Sequence, residues 1–459
     1  MKITLAIVPG INKEIPVGVP SLAAFLRSRG HEVAAVDLNI EFDLESRKFW
    51  ARRKEVIAGE DVKKADRKFA DGVAQANPAV IAAMAERLLT ALPGSALLGF
   101  SVWNQNVALS LTLAAYIRKN YKSPFLVLGG HAAKNYIGRP EAGVIDAIVT
   151  QEGENALLGL VDLLPGKRGA PPAGTVLRRG AKWVAGGPTE EIQDLDALPF
   201  PDYTGFPLDK YPQKGLFPLT FNRGCIGACS FCSVHNFWGK LRHRSGASLY
   251  AEYAQAITKY KAVNFEAGCS AFNLHMPSVE DFCDRVIAGG QKAVWGGLAL
   301  MRRELDEKMA RKLARAGCNR VSFGLESGSD RMLGLMRKSF NSATAEKVVR
   351  ACFSAGIRVG CIVMTGFPGE TPEDLAATKR FLTRNKKYIF GIGPSPVYHV
   401  EPGSAIGRDP ARYGINAATA RKNPHKWESL DGKSTHASRT KTAEEFTRWV
   451  LDSGIRIIT

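Results

Sequence analysis

Cys225, Cys229 and Cys232 stand at a C-x3-C-x2-C spacing in Phe221-Asn-Arg-Gly-Cys-Ile-Gly-Ala-Cys-Ser-Phe-Cys232. Four-iron clusters normally take four thiolate ligands. Three thiolates from one tight loop leave one iron without a protein ligand, where a small molecule can bind. Gly224 and Gly227 let the backbone close round such a group, because glycine accepts φ > 0. Other uses of the triplet compete. Zinc prefers four N/S ligands, and the fourth would have to be His235 or a distant cysteine. A disulfide needs an oxidising compartment, for which nothing argues. Plain core cysteines fit poorly with the Gly and Ser neighbours.

The elements that must carry this loop come from a chain of 459 residues, enough for two or three full cores. Eight cysteines are too sparse for a disulfide scaffold and point to a reducing, cytoplasmic setting. Residues 1–8 read as a first β-strand rather than a signal peptide. No run of 18 apolar residues occurs, so no membrane span is expected. The formal charge is +18, from 62 basic and 44 acidic residues. The cations are spread along the chain, without an Arg-rich tail or an aromatic-interleaved stripe. That pattern fits a solvated surface with some cofactor contacts better than nucleic-acid binding.

The first part alternates strand and helix. Residues 3–8, 32–38, 96–102, 125–129 and 147–150 are short apolar runs, with helical spacing at 16–30 and up to about Lys119. This predicts a doubly wound, Rossmann-like sheet over 1–165. A charged, Ala-rich stretch at 41–93, with Trp50, Arg52 and Phe69, reads as two inserted helices. In open α/β sheets ligands bind beyond the carboxyl ends of the strands. Trp103, Asn104, Gly129, Gly130 and His131 fall there. Residues 166–213 are rich in Pro and Gly and read as a linker with a hairpin at 175–184.

Alternation resumes after the cysteine loop. Strands at 217–221, 262–267, 294–300, 320–325, 359–365 and 391–400 alternate with helices, about six βα units. They predict a partial (β/α)6 barrel over 214–400, with its active site at the strands' carboxyl ends. Residues 401–459 are a short extension with one helix, 442–452. Cys283, Cys318, Cys352 and Cys361 sit in helix or strand patterns and read as core. Cys269 and His275, on the loop after the second barrel strand, are candidate thiol and proton-transfer groups. Arg302 or Arg303 follows the third strand and could pair bidentately with a carboxylate.

The cysteine loop closely resembles the signature of radical S-adenosylmethionine (SAM) enzymes, which often place an aromatic where Phe231 stands. Ser322-Phe-Gly-Leu-Glu-Ser-Gly-Ser329 and Gly366-Phe-Pro-Gly-Glu-Thr371 are similar to later motifs of that superfamily. The resemblance implies a [4Fe-4S] cluster on the three cysteines. SAM binds its open iron through amino and carboxylate groups, and an electron cleaves it to a 5′-deoxyadenosyl radical. It also implies SAM contacts at Glu326, Ser327, Gly366 and Arg302, and an external electron donor of flavodoxin or ferredoxin type. The order Gly129-Gly-His131, then Glu152-Gly-Glu154, resembles the cobalamin-binding domain that precedes many such cores.

Two features depart from the pattern. No Asp-x-His-x-x-Gly string supplies a histidine ligand to cobalt, and Trp103 and Asn104 are the candidates to face the corrin. After the second barrel strand, where relatives often carry paired aspartates, this chain has Cys269-Ser270, with Glu266 nearby. The resemblance implies a cobalamin-dependent methyltransferase acting on an unactivated carbon of a small biosynthetic intermediate. The alternatives are a cobalamin radical-SAM enzyme that cyclises or rearranges, and a non-catalytic iron–sulfur or corrinoid-binding protein.

Overall fold

A computed structural model describes residues 1–10, 14–43, 78–122, 124–164, 169–268, 270–393 and 397–458. The chain divides into two compact units, residues 1–214 and 215–459.

The first unit is built on a seven-stranded sheet. Its strands are β1 (Lys2–Ile7), β2 (Glu32–Asp37), β3 (Leu97–Ser101), β4 (Phe125–Gly129), β5 (Ala147–Val149), β6 (Thr175–Arg179) and β7 (Lys182–Ala185), in the order β2-β1-β3-β4-β5-β6-β7. The first four pairings, as far as β5, are parallel, and β6 and β7 join antiparallel. The parallel strands are nearly continuous apolar runs because both faces are covered. Helices Pro78–Ala91 and Val107–Asn120 bury Met84, Leu88, Leu113 and Ile117 against Leu98, Phe100 and Leu126. Most of the 41–93 insert, including Trp50, Arg52 and Phe69, lies outside the described residues.

The segment 166–213 is not a free linker. Its hairpin becomes β6 and β7, and its later part is fastened to the sheet. Tyr211 donates to the buried Asp37 carboxylate at 2.5 Å, and Arg27 pairs with Asp202. Burial pushes the Asp37 carboxyl up to about 6, against the hydrogen bonds from Tyr211 and the Asn39 N–H. Turn-forming residues misled the sequence reading, because they say how a chain bends and not what it rests on.

The second unit carries a six-stranded, all-parallel sheet in the order β15-β14-β13-β12-β11-β8. The strands are β8 (Leu216–Leu219), β11 (Asn264–Ala267), β12 (Val294–Ala299), β13 (Cys318–Glu326), β14 (Arg358–Val363) and β15 (Gly391–Ile392), with a separate antiparallel pair, β9 (Asn222–Arg223) and β10 (Arg242–His243). Helices Met276–Gly289, Glu307–Arg315, Ser342–Ser354 and Pro372–Asn385 alternate with the strands. This is the expected partial barrel. Cys283, Cys318, Cys352 and Cys361 are buried in it. Arg320 reaches from β13 across Gly296 of β12 to Glu266 (2.7 Å) and Asn264 (2.8 Å) on β11, a path that any Cβ at 296 would block.

The last strand is shorter than 391–400, and beyond it Val397 pairs with Thr365. The outer side of β15 is taken by residues 456–458: Ile392 N–H donates to Arg456 C=O, and Ile458 N–H to Ile392 C=O, both at 2.8 Å. The final helix begins at His436, not 442, where Thr435 and Ser438 form a reciprocal cap. Residues 401–459 belong to the second unit. Ile406, Ile415 and Trp427 share a core with Met332, Met336, Phe367 and Tyr398.

Candidate active site

The cysteine loop leaves the end of β8 on an aromatic anchor. Phe221 stacks on Trp295 (5.7 Å) and meets Phe282 edge-on (5.4 Å). Gly224 has φ 85°, and a Cβ there would lie 2.5 Å from Lys240 C=O, so only glycine serves. Ser230 fixes the far side: its N–H donates to Met336 C=O and its hydroxyl to Leu335 C=O, both at 3.0 Å. Between the thiols lies Gly227. Its N–H donates to Cys225 Sγ at 3.3 Å, and a Cβ would stand 3.4 Å from Cys225 Sγ and 3.8 Å from Cys229 Sγ. Only bare backbone therefore lies against the two thiols at this point, and a group held by them meets no side chain there. Among the described residues no three His, Cys, Asp or Glu side chains converge as a single-ion site. His235, the candidate fourth zinc ligand, has its ring nitrogens on Gly227 C=O (2.7 Å) and Gly239 C=O (3.1 Å).

Burial raises the Cys225 and Cys229 thiols, and the Lys338 ammonium works against it. Lys338 was not singled out in the sequence. Its Nζ bonds Glu326 Oε1 and Gly324 C=O, each at 3.0 Å, and lies 5.3 Å from the Phe231 ring centre. Both members of the ion pair are buried. A bulge at 324–326 and the left-handed φ of 62° at Glu326 turn its carboxylate toward Lys338. Ser327 Oγ is held by Thr378 Oγ1 (3.0 Å) and by the Ser329 N–H (3.1 Å), bonds that shape the turn.

Gly366 has φ 71°, and its missing Cβ leaves room for the Arg439 side chain, 2.8 Å away at Cδ. The Gly366 N–H donates to Glu370 at 2.7 Å. Burial pushes the Glu370 carboxyl up to about 7. Thr371 and Asp374 form a capping box on the helix Pro372–Asn385. Burial alone would raise the Asp374 carboxyl, but Arg331, Ser329 and Thr371 together hold it well below the usual range.

A family profile described as the radical SAM superfamily matches residues 219–382. Residues 219–382 therefore carry a radical SAM domain. The chain is 29% identical over 276 residues to an uncharacterised methyltransferase of Pyrococcus horikoshii, covering 59% of this chain and 60% of the relative. It is 27% identical over 255 residues to the anaerobic magnesium-protoporphyrin IX monomethyl ester cyclase of Rubrivivax gelatinosus, covering 52% and 44%. This chain therefore spans between 44% and 60% of the length of these two relatives. Its fold follows the radical SAM methyltransferase TsrM of Kitasatospora setae, solved with cobalamin and a [4Fe-4S] cluster. The TM-score is 0.66 at 17% identity, over 90% of this chain and 76% of that one.

A radical SAM domain implies a [4Fe-4S] cluster and SAM as cofactors. The radical SAM unit has buried oxygens to meet a polar ligand: Thr220 Oγ1, Asn222 Oδ1, Thr365 Oγ1 and the Tyr398 hydroxyl have no hydrogen-bond partner. Buried polar atoms are ordinarily paired, and all four lie at the carboxyl ends of strands or beside the cysteine loop. Arg302 is not free to meet a carboxylate. Its guanidinium donates to Asn273 C=O (3.0 Å) and Leu274 C=O (2.9 Å) and pairs with Glu304, while Arg303 is exposed. His275 caps the helix Met276–Gly289 and stacks on His243 at 3.5 Å. Burial, with His243 and Arg302, lowers its pKa. Cys269 lies outside the described residues.

In the first unit Trp103 is 46% exposed just past β3, with its ring 4.3 Å from that of His131. Asn104 is exposed beside it. Asn106 is the residue that the sequence reading missed. Wholly buried, it accepts from the Trp103 N–H (2.8 Å) and donates to Val8 and Ser101 carbonyls (each 3.2 Å). Gly130, at φ 103°, is required by packing, since a Cβ would meet Val102 C=O at 2.6 Å. Burial, then Lys134, lowers the His131 pKa.

Proposed function

We propose that this chain is a cobalamin-dependent radical SAM methyltransferase acting on an unactivated carbon of a small biosynthetic intermediate. In this reading residues 1–165 carry the corrinoid, 214–400 form the radical SAM core, and 401–459 complete it. The observation that carries it is the pairing, in one chain, of the three-thiol loop with a Rossmann-like sheet bearing an exposed Trp103 at its carboxyl edge. The fold likeness to TsrM extends over both units, and the Pyrococcus relative carries the methyltransferase name.

When bound, the reduced cluster and SAM supply a 5′-deoxyadenosyl radical, and cobalamin supplies the methyl group. The chain's own residues do the rest. Cys225, Cys229 and Cys232 would hold the cluster as its three protein ligands. Lys338 places a buried cation beside thiolate charge, where low dielectric strengthens its effect. Glu326, held by Lys338, and the Gly366 turn, held by Glu370, shape the wall that SAM meets. Trp103 offers a flat apolar surface for a corrin, on a loop pinned by Asn106. No helix among the described residues is long and apolar enough to cross a membrane. The cysteines among the described residues are unpaired, which suits a reducing cytoplasm.

The test is anaerobic reconstitution with SAM and hydroxocobalamin, followed by mass spectrometry of the SAM products. Near-stoichiometric base-off corrinoid is expected. With the true substrate, S-adenosylhomocysteine and 5′-deoxyadenosine should form in comparable amounts, and label from methyl-deuterated SAM should enter the product. The likeness to the Rubrivivax cyclase favours one second reading, cyclisation without methyl transfer. Turnover with 5′-deoxyadenosine alone and no gain of a methylene in product mass would select it.

A further inference from the structure

The amino ends of β14 and β15, at the opposite end of their sheet from the cysteine loop, carry a surface that the radical chemistry does not use. Phe390 is 41% exposed just before β15, with its N–H held by Val359 C=O at 2.8 Å. Arg358 and Arg456 lie over its ring, their guanidinium carbons 5.6 and 5.0 Å from the centre. Tyr388, two residues earlier and half-buried, has Arg350 at 5.0 Å and Lys387 at 6.0 Å over its own ring. Phe353, 40% exposed on the helix Ser342–Ser354, meets Tyr388 edge-on at 5.3 Å. Arg350 shares the Glu346 carboxylate with Arg384. Among the described residues Arg358, Lys387 and Arg456 make no ion pair, and all three are exposed. Along the chain these cations and rings are scattered over 350–358, 387–390 and 456, so no stripe shows in the sequence. The fold interleaves them.

We propose that this face binds single-stranded nucleic acid, with phosphates on Arg358, Lys387 and Arg456 and bases stacked on Phe353 and the guanidinium-flanked Phe390. The inference is independent of the radical SAM reading above. Exposed cations held over rings add little to stability, and like charges brought together repel, so the surface calls for an outside anion. A second copy of the chain does not meet that need, because each copy carries a formal charge of +18. An acidic peptide would answer the cations and leave the half-exposed rings unused. A single strand answers both, since each nucleotide brings a phosphate and an unstacked base. The contact is made by binding alone, and no bond forms or breaks.

The experiment takes the anaerobically reconstituted full chain and a fluorescent, mixed-sequence RNA of about 12 nucleotides, within the span of single-strand sites. Anisotropy titrations over a series of salt concentrations give the affinity and its salt slope. Lys387→Glu/Arg358→Glu should weaken binding about tenfold or more at low salt. It should also make the slope shallower by about 1.4, the loss of two phosphate contacts at about 0.7 each. Phe353→Leu/Phe390→Leu should weaken binding about fivefold or more and leave the slope unchanged, because stacking releases no counterions. Unaltered melting temperature and iron content in both variants would show that the effects are local. A duplex of the same sequence, whose bases are covered, should bind more weakly than the single strand. Absence of RNA binding at low salt would overturn the proposal, and so would wild-type affinity in both variants. Equal binding of poly-glutamate and RNA, with no effect of the leucine variant, would also overturn it and leave an acidic protein as the partner.

Discussion

Burial raises the Glu370 carboxyl to about 7 while the Gly366 N–H draws on it as an acceptor. A raised acid pKa means that the folded protein holds the proton more tightly than the unfolded chain does. The stability tied to it is complete below the ordinary value of 4.5 and is lost as pH rises through about 7. Glu370→Gln keeps the acceptor and should flatten that slope, which urea unfolding at a series of pH values reads. The effect is on the order of 3 kcal/mol across the window at most. The cysteines make a sharper case. Cys225→Ala, Cys229→Ala or Cys232→Ala should each abolish a reducible four-iron cluster and 5′-deoxyadenosine formation. Cys318→Ala and Cys352→Ala should leave iron and sulfide content unchanged. At this scale the sequence was legible where chemistry needs close spacing, as in the three cysteines. It was silent on Lys338, which meets Glu326 from twelve positions away through a bulge and a turn that no periodicity announces. Arg302 misled for the opposite reason: its position in the chain suited a ligand, but its guanidinium holds the carbonyls of its own neighbourhood.

In the first unit the parallel strands were readable because they are buried on both faces and appear as nearly unbroken apolar runs, whereas β8, β11 and β13 were readable by alternation. Their ends were not, since pairing decides them. The Val397–Thr365 bridge lies past the formal end of β15, and the last helix starts six residues early on a Thr-Ser cap. The loop after β3 depends on a single side chain. Asn106→Ala would leave the Trp103 N–H and the Val8 and Ser101 carbonyls without that partner. The cost should be about 2–3 kcal/mol in urea unfolding, the scale of stranded buried polar groups. Corrinoid should bind more weakly to the variant, as dialysis would measure, because Trp103 is no longer held. Asp37 and Tyr211 make a related case for the segment after β7. Tyr211→Phe removes the hydroxyl donor from a buried carboxylate. It should cost about 1–3 kcal/mol, and the penalty should shrink as pH falls through about 6 and the carboxyl takes up its own proton.

Each of the two units has its own core, so the molecule need not unfold in one step. Calorimetry of the apoprotein should resolve two transitions. Cluster and SAM should raise one of them by mass action, corrinoid the other. Cys229→Ala should cancel the first shift and spare the second; a single merged shift would count against separate sites. The strip formed by residues 456–458 has a consequence for how molecules meet one another. It occupies the outer backbone of β15, leaving no bare N–H and C=O row on that side where Ile392 sits. An uncovered parallel edge is a template for another chain. Replacing Ile458 by proline, which removes the N–H that donates to Ile392, or cutting the chain before Arg456, should therefore turn a well-behaved solution into one that self-associates with rising concentration. Light scattering would register this before any loss of bound iron.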